Sequence, residues 1–485
     1  MNAKHQRIAR DIHFTRWLFW AYLFVLFLAP LPLGSNRPLF WALLVAAIGL
    51  IALIWSIGWL RGVAHWPHAM RRAKWPLYFL IAFLAWSGVQ LLPSAWLPVS
   101  IIPAYLGEAF GFVGSPARLT SDVYASVDML LLSLGLLLLA VMTLILVRSS
   151  RRALQVLFVL TAAGLIQALY GSLMVLSGAE FGFLEAKRHG LGVATGTFIN
   201  RNHYANLLVL SLSAGTGLLL AQMNLAGAQN MRQRLRSLLQ ALLGPKARLR
   251  VYMVIMVIAL VLTRSRMGNT AFFAALTLVG FFSIWRLKLP SRPLMLLMVS
   301  VLAIDVLVVG TWFGVEQVID RIQETVQVEE DNSWRIRDQD RLDADREALS
   351  MITYAPVAGM GAGSFYSAYP AWRVKDQGFM DHTHNDYLEF VVNYGVVGTA
   401  LLALFLFYCL HRASQGLENR DREKLFGVSF AAMMAMAAML IHASVDFSLQ
   451  IPANAAWFVV LCILPFCMVV DRCNSRTHKA KMNPT

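Results

Sequence analysis

Apolar runs long enough to cross a bilayer recur along the 485-residue chain, separated by short polar connections. A helix needs about 20 apolar residues to span the hydrocarbon core. The runs predict twelve helical spans, at about 14–33, 38–60, 76–93, 127–147, 153–176, 203–222, 249–264, 267–285, 293–313, 385–410, 425–445 and 452–470. Inside lipid, backbone polar groups must be satisfied within their own segment, so the runs are read as helices. The expected fold class is all-α, a polytopic membrane protein of about 12 transmembrane helices. One long polar stretch interrupts the pattern. It divides the chain into an N-terminal membrane domain of about nine spans (1–313), a large and mainly helical loop (314–384), and a C-terminal membrane domain of about three spans (385–485).

Composition agrees, with 58% hydrophobic and 14% charged residues, a balance foreign to soluble chains of this size. The formal net charge of +15 raises the question of a nucleic-acid partner. The placement of the charges answers it. With the N-terminus inside, 28 of the 42 Lys and Arg residues fall in the connections assigned to the cytoplasm, and every short connection there is basic. This is topogenic charge; it puts both termini in the cytoplasm and calls for no nucleic acid. The first apolar run, near Phe14 behind Lys4, Arg7, Arg10 and Arg16, is expected to stay as a membrane helix. Met231 to Leu243, in an inner connection, reads as an amphipathic helix on the anionic leaflet. The outward connection 94–126 is expected to hold a short interfacial helix. Cys409, Cys462, Cys467 and Cys473 fall in spans or near cytoplasmic ends, so no structural disulfide is expected.

Candidate chemistry gathers on the outward side. At Asp381-His-Thr-His-Asn-Asp386 two imidazoles (His382, His384), Asn385 and the carboxylates Asp381, Asp386 and Glu389 stand at the mouth of a membrane helix. Imidazole there suits proton transfer; the carboxylates also fit a plain helix start. Asn200-Arg-Asn-His-Tyr-Ala-Asn206 crowds amides, Arg201 and His203 at a span end, which suits phosphate or sugar hydroxyls. Thr263-Arg-Ser-Arg-Met-Gly-Asn269 sets Arg264 and Arg266 against the topogenic trend. An anionic ligand accounts for that placement, and so does snorkelling to headgroups. Pro356 to Phe365 is glycine-rich but lacks Gly-Lys-Ser/Thr, so it reads as a tight turn rather than a nucleotide loop. Tyr366, Tyr369, Trp372 and Arg373 suit a sugar-facing groove or core packing equally. Asp446, in an outward turn, fits either orienting a histidine or arginine or capping a helix. No Asp-x-Asp element or metal-like His/Cys spacing occurs, and neither metal nor cofactor is expected.

Together these residues resemble the O-antigen ligase and polymerase superfamily of bacterial inner-membrane proteins. The resemblance rests on His384-Asn385 followed after nine residues by Gly395-Val-Val-Gly398, on Thr263–Arg266, on Phe198–Asn202 and on Pro356–Phe365, and covers about residues 195–400. It implies a multi-pass protein of the bacterial inner membrane, among membrane lipids, with its large loop and active site facing the periplasm. The implied donor is a glycan on undecaprenyl pyrophosphate. The implied acceptor is lipid A–core, another lipid-linked repeat, or a protein hydroxyl. Physics and resemblance together then make His384 the expected general base and Arg266, with Arg264 and Arg201, the clamp on the departing pyrophosphate. Asn200 and Asn202 are expected to bind phosphate or sugar hydroxyls; Asn385 and Glu389, one helical turn apart, to orient the acceptor or the imidazole; and His382 to contact substrate, or to serve as base in place of His384. Ligase, polymerase and protein O-oligosaccharyltransferase all stay open. The rival class is a transporter or flippase of lipid-linked glycan; twelve spans suit it, but charges at mid-span are few, Asp305 being the main one.

Overall fold

The computed structural model describes residues 3–93, 96, 118–183, 186–187, 190–222, 245–287, 299, 333–373, 380–418 and 422–468. Apart from Val299, the ninth predicted span lies outside them, with Asp305. So do Met231–Leu243, most of the connection 94–126, the start of the large loop, and Cys473.

The helices that carry the fold are α1 (Ala3–Leu28), α2 (Pro38–Leu60), α3 (Lys74–Val89), α4 (Val123–Leu146), α5 (Ser150–Ser177), α6 (Arg201–Leu220), α7 (Pro245–Leu262), α8 (Arg266–Leu287), α9 (Ser333–Tyr354), α10 (Asp386–Leu417), α11 (Glu423–Ala443) and α12 (Pro452–Cys467). Each predicted span within the described residues coincides with one of them, α9 being the helix of the polar loop. Eight (α1, α2, α4, α5, α6, α8, α10 and α11) are long and apolar enough to cross a membrane; α3 and α12 are shorter apolar helices. Among the described residues there is no strand, only the isolated bridges Pro93–Arg118 and Phe181–Ala186. Helix starts follow local chemistry: Asp122 caps α4 by accepting from Ala125 N at 3.0 Å, and Ser149 caps α5 by accepting from Arg152 N at 3.2 Å.

Helix α6 is the axis of the bundle. Its residues from His203 to Leu220 are all buried, and α11 and α12 are enclosed nearly as completely. A β-carbon on Gly217 of α6 would collide with the carbonyl of Gly427 on α11, and one on Gly427 with the carbonyl of Gly217. Two small residues thus let two backbones touch, which is how membrane helices gain packing where no hydrophobic drive operates. Trp17, Phe24, Leu43, Leu53 and Phe281 of the outer helices stay exposed, as a lipid-facing surface requires.

The glycine-rich segment meets α10 at a break in that helix. Gly395 has φ 66° and ψ −178°, a conformation open to glycine. The freed groups are taken up by the incoming chain: Met360 N donates to Val392 O at 2.7 Å, Gly361 N to Asn393 O at 3.1 Å, and Val396 N to Pro356 O at 2.8 Å. Gln90, just past α3, locks the joint by donating to Ala358 O (2.7 Å) and Asn393 O (2.9 Å) while accepting from Ala362 N (3.2 Å). Ala344, Ala348 and Met351 of α9 then pack on Phe365, Tyr369 and Val392. Tyr369 is therefore core, while Tyr366 is exposed.

Replacing Gly217 by leucine is expected to lower stability by about 3 kcal/mol through overpacking. Thermal unfolding in detergent checks this, and an unchanged midpoint would mean that the α6–α11 contact is not close.

Candidate active site

Four predicted clusters meet at one end of the bundle. Asn200 begins α6, its Oδ1 accepting from Asn202 N at 2.8 Å. One turn in, His203 is buried. Asn385 begins α10, accepting from Tyr387 N (3.0 Å) and Leu388 N (3.3 Å). The turn between α11 and α12 brings Asp446 between these two starts. Its Oδ1 lies 3.6 Å from His203 Nε2 and 3.6 Å from His384 Nδ1. At that distance these are ion pairs rather than direct hydrogen bonds. Asp446 Oδ1 also accepts from Phe447 N at 2.9 Å. Burial alone would raise this carboxyl; His203 and His384 outweigh it and hold it well below the usual carboxylate range. The His384 side chain keeps 14% exposure, against 1% for Asp446, so the imidazole stands between solvent and a buried anion.

His382 is held differently. Its Nδ1 meets Glu389 Oε1 at 2.7 Å, and its ring stacks on Phe447 at 4.2 Å between centroids. Glu389 Oε2 accepts from Thr383 N at 3.0 Å. Burial pulls the His382 imidazole down, but Glu389, with Asp381 and Asp386, raises it above its ordinary value. Of the two roles expected of Glu389, substrate contact and imidazole orientation, the geometry supplies the second, for His382 rather than His384. Asp386 is turned inward, accepting from Leu449 N (3.0 Å) and Gln450 Nε2 (3.3 Å), and so ties α10 to the Asp446 turn. Phe447 also meets the rings of His203 and His384, at 4.6 and 5.5 Å.

The arginines flank this centre. Thr263 Oγ1 donates to Leu260 O at 2.6 Å and accepts from Ser265 N at 3.0 Å. Ser265 caps α8 through Gly268 N at 3.2 Å. Between them Arg264 is held at φ 52°, a region that non-glycine residues seldom enter. Gly268 of α8 packs closely on Ala205 of α6, so the arginine turn and the Asn200 cluster are neighbours. Arg264 and Arg266 are both exposed, and neither has an ion pair among the described residues. Arg266 opens α8 and Arg201 opens α6. The helix dipole disfavours a cation at either place, so helix stability does not explain them; at two neighbouring helix starts they form an electropositive rim suited to anions. Asn202 lies beside Arg201, partly buried.

The sequence did not single out Asp345, His442 or Phe447. Asp345 of α9 is near enough to His384 to feel its charge; burial raises its carboxyl and His384 partly offsets this. His442 donates to or accepts from Ser448 Oγ through Nδ1 at 3.1 Å. Among the described residues no three His, Cys, Asp or Glu side chains are grouped as a metal site.

Because His382 is raised above its unfolded value, its contribution to stability is complete below about pH 6.5 and is lost as pH rises through the folded value. Glu389→Gln is expected to remove that alkaline decline and to cost about 3 kcal/mol at neutral pH; pH-dependent unfolding in detergent measures both, and an identical pH profile would discard the pair.

A model of the family described as O-antigen ligase matches residues 251–403. The matched stretch holds Arg264, Arg266, the glycine-rich segment, His384 and Gly395–Gly398, and stops short of Asn200–His203 and Asp446. No curated protein matches the chain. The match supports the resemblance drawn from the motifs and a membrane function in glycan transfer. Over residues 251–403 the chain is similar to the O-antigen ligase family, and this supports the O-antigen ligase and polymerase superfamily.

Proposed function

We propose that this protein is a membrane glycosyltransferase that moves a glycan from undecaprenyl pyrophosphate to a sugar hydroxyl, on lipid A–core or on another lipid-linked repeat, at the periplasmic face of the inner membrane. The observation that carries this reading is the approach of a partly exposed imidazole, His384, to the buried carboxylate Asp446 at the same bundle end as the exposed Arg264 and Arg266.

The chemistry follows from those groups. Asp446 faces His384 Nδ1, leaving Nε2 as the nitrogen that takes the acceptor's proton. Asp446 stays ionised and offsets the imidazolium that forms. The acceptor oxygen attacks the anomeric carbon as the carbon–oxygen bond to pyrophosphate breaks, and the bonding pair leaves with the phosphate. Single displacement of this kind inverts the anomeric centre. Arg266, Arg264 and Arg201 neutralise the charge that develops on the leaving group. Asn200 and Asn202 stand beside that rim to hold phosphate or sugar oxygens. Asn385 acts indirectly, by starting the helix that follows His384.

Purified protein in detergent, given undecaprenyl-pyrophosphate glycan with lipid A–core or with no second acceptor, is expected to form product. Product on core alone marks a ligase, and a ladder of longer lipid-linked glycans marks a polymerase. Activity confined to sealed vesicles would replace this reading with transport, and inactivity on both acceptors would turn it toward a protein hydroxyl. His384→Ala is expected to lose about 10²–10⁴-fold in rate; wild-type turnover would remove the base. Arg266→Ala is expected to lose about 100-fold, whereas Arg292→Ala, on the inner side by charge pattern, stays near wild type. Equal losses would undo the clamp.

A further inference from the structure

Behind His384 lies a group of buried polar atoms that the transfer chemistry leaves unused. His203 Nε2, His384 Nδ1, His442 Nε2, Asp446 Oδ2 and Asn454 Oδ1 are all inaccessible, and none has a hydrogen-bond partner among the described residues. They belong to one neighbourhood. His203 and His384 both stand 3.6 Å from Asp446 Oδ1. His442 interacts electrostatically with Asp446 and His203. Asn454 Nδ2 donates to His203 O at 3.0 Å, which brings α12 to the same place. Two further atoms of these groups are already committed: His442 Nδ1 meets Ser448 Oγ at 3.1 Å, and Asp446 Oδ1 accepts from Phe447 N at 2.9 Å.

A buried polar atom left without a partner costs about 1–3 kcal/mol, and native folds rarely gather several in one spot. A contact of 3.6 Å is too long for a direct hydrogen bond, yet one water can touch both groups. These groups are closed off from bulk solvent. His203 is 5% exposed, His442 and Asp446 1%, and Asn454 0%, so no sugar ring enters. A water needs two to four polar partners, and this neighbourhood supplies them.

We infer that this pocket is a buried water site, in which one or more waters join Asp446 Oδ2 to His203 Nε2 and His442 Nε2, and that His203 is thereby a positioning residue for His384. Water on Oδ2 leaves Oδ1 turned toward His384 Nδ1, which fixes the tautomer that makes Nε2 the base. The role given to His203 rests on His384 being the base; the hydration does not. His384 is faced by Asp446 and Asp345. Asp446 is faced by His203, His384 and His442, with Asp386 nearby.

The test begins with a cryo-electron-microscopy map of the full chain in lipid nanodiscs, sharp enough to resolve water. Density is expected within hydrogen-bond distance of Asp446 Oδ2 and of His203 Nε2 or His442 Nε2. A dry pocket overturns the inference. Two variants then test the role of His203. His203→Leu removes the water's partner and is expected to lower kcat at least tenfold with KM unchanged. His203→Gln keeps a polar partner and is expected to retain most of kcat. Equal losses of kcat, or an effect on KM alone, would overturn the positioning role. Ordered water together with wild-type turnover by His384→Ala would leave the site standing and remove only the base assignment. A dry pocket with an inactive His384→Ala would do the reverse.

Discussion

A carboxylate withdrawn from water has to be met by charge or by hydrogen bonds. Asp446, at 1% exposure, is met by two imidazoles from opposite sides. That one requirement joins three stretches of chain: the first turn of α6, the turn ahead of α10, and the turn ahead of α12. Because α6 is enclosed throughout, His203 is fixed by the packing of the whole bundle. His384 inherits that fixity through the shared anion, although it sits on irregular chain. His384 therefore owes its placement to the core helix rather than to the loop that carries it.

The helices were legible in the sequence because apolar runs of bilayer length have few other solutions. The four polar clusters were legible too, since amides, histidines and paired arginines stand out where lipid excludes them. What could not be read was their pairing. His203 and Asp446 lie far apart along the chain, and no spacing rule joins a helix start to a turn between two later helices. Glu389 was expected near the base from helical spacing; the chain reverses at Thr383, whose backbone N–H binds Glu389, and this hands the carboxylate to His382 instead. Capping chemistry took Asn385 for the helix rather than for substrate. The snorkelling account of Arg264 and Arg266 loses ground to the rigid turn that presents them, since a side chain merely reaching for headgroups gains nothing from a left-handed backbone.

Helix α10 carries two functions on either side of its break. Ahead of Gly395 it supplies Asp386 and Glu389, both buried and both spent on orienting their neighbours. Beyond Gly395 it is an ordinary apolar helix. The break lets the first two turns lean on the polar loop while the rest stays with the bundle, so that site and membrane anchor need not share one axis.

The joint between the glycine-rich segment and α10 is made largely from main-chain atoms, with the side chains of Gln90 and Asn393 fastening it further. Main-chain hydrogen bonds survive most substitutions. Provided Gly359 and Gly395 remain, the exposed face of α9 and the residues around Tyr366 are free to vary without moving His384. The fold thus separates what must be kept from what can be rewritten: the loop surface can diverge at little risk to the His384–Asp446 centre beneath it.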